Sequence, residues 1–232
     1  MSILCGYSGH GGETLSILHG GGDHLLLHNA VRDEIFQWCK RARLRPKLEK
    51  EGLLSSLGAP GSGRRPADVL ICHQTGFLAG LPGGERARGC NRVCLDFAVI
   101  NALGQGHWNK TFSGPLCAAA AYSERKSAHQ NTKAKCEEVG LAFEPMVFEM
   151  QGGVEARCAA ILHRIASAVA HVEEADPVIL KAQLLQRVAI IVARGNAKAV
   201  KRREDPRVCS GRPDASRRLL AEAAAVGVED DY

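Results

Sequence analysis

No stretch of the 232-residue chain approaches the roughly 18 apolar residues of a membrane span; the longest candidate, near Val188–Ala193, is far too short. The N-terminus lacks a charged segment followed by an apolar one, so no secretory signal is evident. Paired cysteines are missing too. The nine thiols are an odd number at irregular spacings, and Cys72, Cys94 and Cys158 fall inside apolar runs. That usage points to reduced thiols and an intracellular protein rather than a disulfide framework. There is no internal repeat and no phosphate loop. Gly9-His10-Gly11-Gly12 and Gly61-Ser62-Gly63 lack the strand-before, helix-after context and the Lys-Ser/Thr that give such loops meaning. Gly6-Tyr7-Ser8-Gly9-His10 approaches a nucleophile elbow but misses its final glycine.

What is present is the composition of an ordinary globular protein, 45% hydrophobic and 24% charged, with a net charge of +5. Its basic residues are clustered: Arg32–Lys50 holds seven Lys/Arg against three acids, and Arg194–Arg207 six against two. Such clusters are commonly solvated helix faces, and they are also what a polyanionic partner requires.

The apolar spacing predicts a helix from Asn29, with Val31, Ile35, Trp38, Cys39 and Ala42 on one face and Pro46 as its stop. Arg65–Cys72 and Arg92–Ile100 read as strands, joined by a Gly/Pro/Arg-rich connection. A long helix is expected over 115–139, then a third strand over Leu141–Met150 that Pro145 pushes to an edge or a bulge. Two more helices follow: one carries Cys158, Ile161, Leu162, Ile165 and Val169, and one opens on Asp176-Pro177. The expected order is α, β, β, α, β, α, α. Residues after about 204 read as a mobile tail.

Asp68 and Asp96 each sit in an apolar strand, where a charge is costly unless it is paired or binds a cation. If the strands pair, two carboxylates meet at one edge of the sheet, and a hard divalent cation relieves their repulsion. The alternative is that each carboxylate merely ends its strand and caps a turn.

The segments RRPADVLI, CLDFAVIN, AAAYSERKSAH and CEEVGLAFEPMVFEMQGG together resemble the PD-(D/E)XK restriction-endonuclease-like fold. In particular they resemble the endonuclease domain of site-specific non-LTR retrotransposon and reverse-transcriptase-linked proteins. The likeness runs from about His19 to Gly153. It implies an α/β fold, a small central mixed sheet flanked by helices, with extra C-terminal helices. The divisions expected are a Cys/His-rich lead-in over 1–28, the nuclease-like core over 29–153, helices over 154–203 and the tail over 204–232.

The resemblance implies that Asp68 and Asp96 hold Mg2+ or Mn2+. It also implies that Lys126, from the following helix, replaces the lysine usually found two residues after the second acid, where Ala98 stands. Glu49 is a further candidate ligand. Tyr122, Lys126, His129 and Lys133 fall on one face of the expected helix, a stripe suited to a scissile phosphate. Cys5, His10, His24 and His28 resemble a zinc knuckle, but Ile17 stands where a cysteine is expected. The activity implied is metal-dependent hydrolysis of DNA by a nuclear endonuclease of retroelement origin, with a homodimer compatible with cutting both strands. The alternative is an inactive nucleic-acid-binding remnant of the same fold.

Overall fold

The structure, a computed structural model, describes residues 21–49, 53–54, 67–72, 77–78, 90, 92–104 and 106–204. Helix α1 spans Gly21–Arg41, so it begins well before Asn29. That asparagine lies inside the helix, and the division expected at 28/29 falls within one continuous element. The apolar stripe Leu27, Val31, Ile35, Trp38 explains the longer helix, since Leu27 extends the buried face by another turn. Three strands follow: β1 (Pro46–Leu48), β2 (Val69–Ile71) and β3 (Arg92–Ile100).

A short helix α2 (Trp108–Thr111) leads to α3 (Cys117–Ala128), a 3-10 turn at His129–Asn131, and α4 (Thr132–Glu138). The single helix expected over 115–139 is therefore two, because Gln130 and Asn131 take left-handed φ values of 53° and 57°. Strand β4 (Leu141–Glu149) and helices α5 (Ala156–Glu173) and α6 (Pro177–Glu204) complete the order.

The sheet order is β1-β2-β3-β4, antiparallel except for the parallel pair β3/β4. A parallel pair needs a crossover, and α3 and α4 supply it. Pro145 is tolerated because β4 lies at the edge. β4 is nonetheless buried along its whole length. Phe143 and Val147 face α3 and α4, while Ala142, Met146 and Phe148 join a core with α1, α5 and α6. β3 alternates in the same way: Val93, Leu95, Phe97 and Val99 enter the larger core, and Cys94, Ala98 and Ile100 face the crossover helices. The chain is thus a mixed α/β protein with a small mixed sheet covered by helices. No helix among the described residues is long and apolar enough to cross a membrane.

Glu34 ties α1 to α6. It accepts the Trp38 indole N–H at 2.9 Å and pairs with Arg187. Burial raises its pKa, but the Arg187 and Trp38 hydrogen bonds, with the charges of Arg187 and Arg41, outweigh that and hold it below 4.5. A depressed carboxyl stabilises the fold above its unfolded pKa and loses that contribution as pH falls through the folded value. Wild type should therefore unfold at a higher temperature than Glu34→Gln at neutral pH. The gap should close as the pH falls below 4.5. A gap that widens on acidification would show that the ion pair is not its source.

Candidate active site

The pairing registers bring three carboxylates to neighbouring positions on β1, β2 and β3. Leu48 pairs with Val69, and Val69 with Leu95. Continuing the first register by one residue sets Glu49 opposite Asp68, and Asp96 is the next residue after Leu95 on β3. The Glu49 N bond to the Asp68 carbonyl (2.9 Å) keeps the first register, whereas the Asp68 N bond to the Leu95 carbonyl (3.0 Å) is one residue out of the second, as at a β-bulge. β3 runs on past Asp68, still paired with β4 on its other side, and side chains bond the main-chain groups of Phe97. Its N–H donates to Asp68 Oδ2 at 2.7 Å, and its carbonyl accepts Lys126 Nζ at 2.9 Å. Lys126 Nζ also lies 2.8 Å from Asp96 Oδ2. Asp68, Asp96 and Lys126, from β2, β3 and α3, thus meet at one point of the sheet.

The position of the lysine follows from strand periodicity. Ala98 shares the face of Asp96 and is fully buried, in a cluster with Ala118, Ala119 and Tyr122 of α3. Small residues there let α3 lie close on β3, and Lys126, two turns from Ala119, reaches the carboxylates from above.

The two acids titrate in opposite directions. Burial is the largest effect on Asp96, and with the charge of Asp68 it outweighs Lys126 and His28, so the carboxyl is pushed up to about 6. Burial also raises Asp68, but the hydrogen bond and charge of His28, the Phe97 N–H and the Lys126 charge hold it below its ordinary value. Two neighbouring carboxylates whose surroundings separate them in this way are the electrostatic pattern of a functional site.

Helix α1 supplies two basic partners that the sequence did not assign. His28 Nε2 lies 3.1 Å from Asp68 Oδ2, and its Nδ1 lies 3.2 Å from Asn29 Oδ1. One turn on, the buried Arg32 pairs with Glu49 and, at 2.8 Å, with Asp33. A polar pair at i, i+4 beside an apolar stripe is the available signal, and the Cys/His cluster and the basic run around it mask it. A group that orients a metal-binding carboxylate commonly contributes about 10- to 100-fold in metal affinity. If Asp68 holds a cation, His28→Ala should weaken Mn2+ binding by about that factor in titration calorimetry, and His28→Gln should restore part of it. Unchanged affinity in His28→Ala would reduce the contact to packing.

The remaining expected residues are dispersed. The kink after Ala128 breaks the stripe of Tyr122, Lys126, His129 and Lys133, leaving Lys133 on α4 and His129 in the turn between helices. His129 and Lys133 are exposed, whereas Tyr122 is only 5% exposed, under Arg125 and edge-on to His107. Glu49 has its carboxylate on Arg32. His24 and His28 lie one turn apart on α1, while Cys5 and His10 fall outside the described residues. Among the described residues no group of three or more His, Cys, Asp or Glu is disposed to hold a metal. What the cluster offers is two carboxylates whose described contacts all fall on Oδ2. Carboxylate oxygens are hard donors, the type that Mg2+ and Ca2+ favour. No family model, curated protein or solved structure matches this chain.

Proposed function

We propose that the chain is a divalent-metal-dependent DNA endonuclease built on a restriction-endonuclease-like core. The observation that carries the proposal is the convergence of Asp68, Asp96 and Lys126 where β2 ends beside β3. The element order supports it, with a leading helix, three antiparallel strands and a helical crossover to a parallel edge strand. Retroelement ancestry rests on the sequence resemblance alone.

Asp68 and Asp96 would hold Mg2+ or Mn2+. The ion would lower the pKa of a bound water and offset charge developing on the phosphate. The chain contributes the rest. Lys126, held between the Phe97 carbonyl and Asp96, offers a fixed positive charge to an anionic transition state at no reorganisation cost. His28 and the Phe97 N–H fix the Asp68 carboxylate so that its second oxygen keeps one direction. No covalent nucleophile is required.

One feature favours a second reading, an inactive binding domain of the same fold. Ala98 replaces the strand lysine, and Lys126 is engaged with Asp96. A supercoiled-plasmid nicking assay distinguishes the two. Nicking by wild type in Mg2+ or Mn2+, absent in EDTA, is the expected result. Salt-sensitive DNA binding without nicking in either metal would establish the binding reading instead.

A further inference from the structure

Helix α6 carries seven Lys/Arg and a single acid, Glu204, between Pro177 and Glu204. Arg187 and three other cations, Arg194, Lys198 and Lys201, fall along one stripe at successive spacings of seven, four and three residues. The buried positions Leu184, Val188, Val192 and Ala199 lie on the adjoining face. Their environments differ. Arg187 is bound by Glu34 of α1, whereas Arg194, Lys198 and Lys201 are exposed and make no ion pair among the described residues. Like charges at i, i+4 repel, and no acid is paired with these three among the described residues.

The position of the stripe follows from how α6 packs. Arg187 meets Glu34, and Gly195 meets Leu27, where an added Cβ would lie 2.7 Å from the Leu27 Cδ1. As the α6 number rises the α1 number falls, so the two helices run antiparallel. That arrangement sets Arg194 at the level of His28, whose ring holds Asp68, and carries Lys198 and Lys201 past it. The Arg187–Glu34 contact shows that this flank of α6 is turned toward α1. A straight track of positive charge, about 10 Å long over seven residues, therefore starts at the level of His28 and runs on towards the C-terminal end of α6. Its length matches the axial rise of about three phosphates on one strand of a duplex.

We infer that Arg194, Lys198 and Lys201 form a backbone-binding track for duplex DNA beside the Asp68/Asp96 site, each neutralising a phosphate without reading sequence. The choice of DNA as partner rests on the nuclease reading, while the track itself rests on the charge arrangement of α6. In this role the stripe positions the duplex and leaves the chemistry to the cluster.

The test is fluorescence anisotropy with a labelled 30-base-pair duplex and the full chain in EDTA, over a series of KCl concentrations. Wild type is compared with the triple variant Arg194→Ala, Lys198→Ala, Lys201→Ala. Alanine is the strongest helix former, and circular dichroism checks that α6 is retained. Each lost phosphate contact removes about 0.9 from the slope of log K against log salt, so the slope should fall by about 2.7. Affinity should drop at least tenfold at the lowest salt. An unchanged slope overturns the proposal, as does a wild type that does not bind. A variant that keeps DNA binding but loses binding to phosphatidylserine vesicles also overturns it, since the stripe would then face a membrane surface. These outcomes are independent of nicking. A stripe-dependent slope in a protein that never cuts DNA leaves the track standing and removes only the nuclease reading.

Discussion

On the proposed endonuclease reading, Asp96→Asn is expected to reduce Mg2+-dependent nicking by about 10^3-fold or more, because a bound cation would supply several kcal/mol of transition-state stabilisation. The same substitution should raise the melting temperature of the metal-free protein at neutral pH. The Asp96 carboxyl is pushed up to about 6 from an ordinary 3.8, mainly by burial. The folded state therefore holds its proton more tightly than the unfolded chain does, and wild type loses stability as pH rises from 3.8 to about 6. Above that window the buried charge is fully present, and a neutral isostere avoids it. In EDTA the advantage of Asp96→Asn should be greatest above about pH 6 and vanish below about pH 4. A variant less stable than wild type at pH 7 would mean that Asp96 serves chiefly to anchor Lys126. Nicking at the wild-type rate would remove Asp96 from the chemistry.

Arg157→Ala is expected to cost about 3–5 kcal/mol of stability, the largest single effect away from the cluster. Arg157 forms a forked pair with Glu144 of β4 at 2.9 and 2.6 Å, and Glu144 is only 8% exposed. Deleting the guanidinium leaves a carboxylate under α5 with no compensating charge. The paired substitution Glu144→Met with Arg157→Met removes both charges and should recover most of the loss, since a well-packed apolar pair substitutes for a buried ion pair at little cost. Urea unfolding measures both. A loss below about 1 kcal/mol for Arg157→Ala would place the pair among hydrated surface ion pairs.

Those two sites mark where sequence reasoning reached and where it stopped. β3, β4, α5 and the start of α6 were legible because apolar periodicity, Gly140 and Asp176-Pro177 all agreed. β1 was missed: three residues, one of them proline and one charged, carry no periodic signal, and the strand exists because β2 pairs with it. The kink in 129–131 was missed because that stretch has neither glycine nor proline. Asn131 and Gln130 take left-handed conformations that their side chains do not announce. At the cluster, Asp68, Asp96 and Lys126 were foreseen as a set, and the structure brings them together. His28 and Arg32 were not foreseen as partners of Asp68 and Glu49. Their roles depend on which face of α1 meets the ends of β1 and β2, a tertiary relation that one helix's spacing does not encode. Glu144 and Arg157 were invisible for the same reason.

The antiparallel contact between α1 and α6 has a consequence for how the chain reaches its native state. The larger core is closed by the first and last described helices, with every strand lying between them in sequence. Contacts of such long sequence separation make for slow folding. During synthesis, Leu27, Val31 and the inner faces of β3 and α5 would wait, uncovered, until α6 emerged. A shortened chain ending before Pro177 would leave that apolar surface permanently open, and it should aggregate rather than fold as a smaller domain.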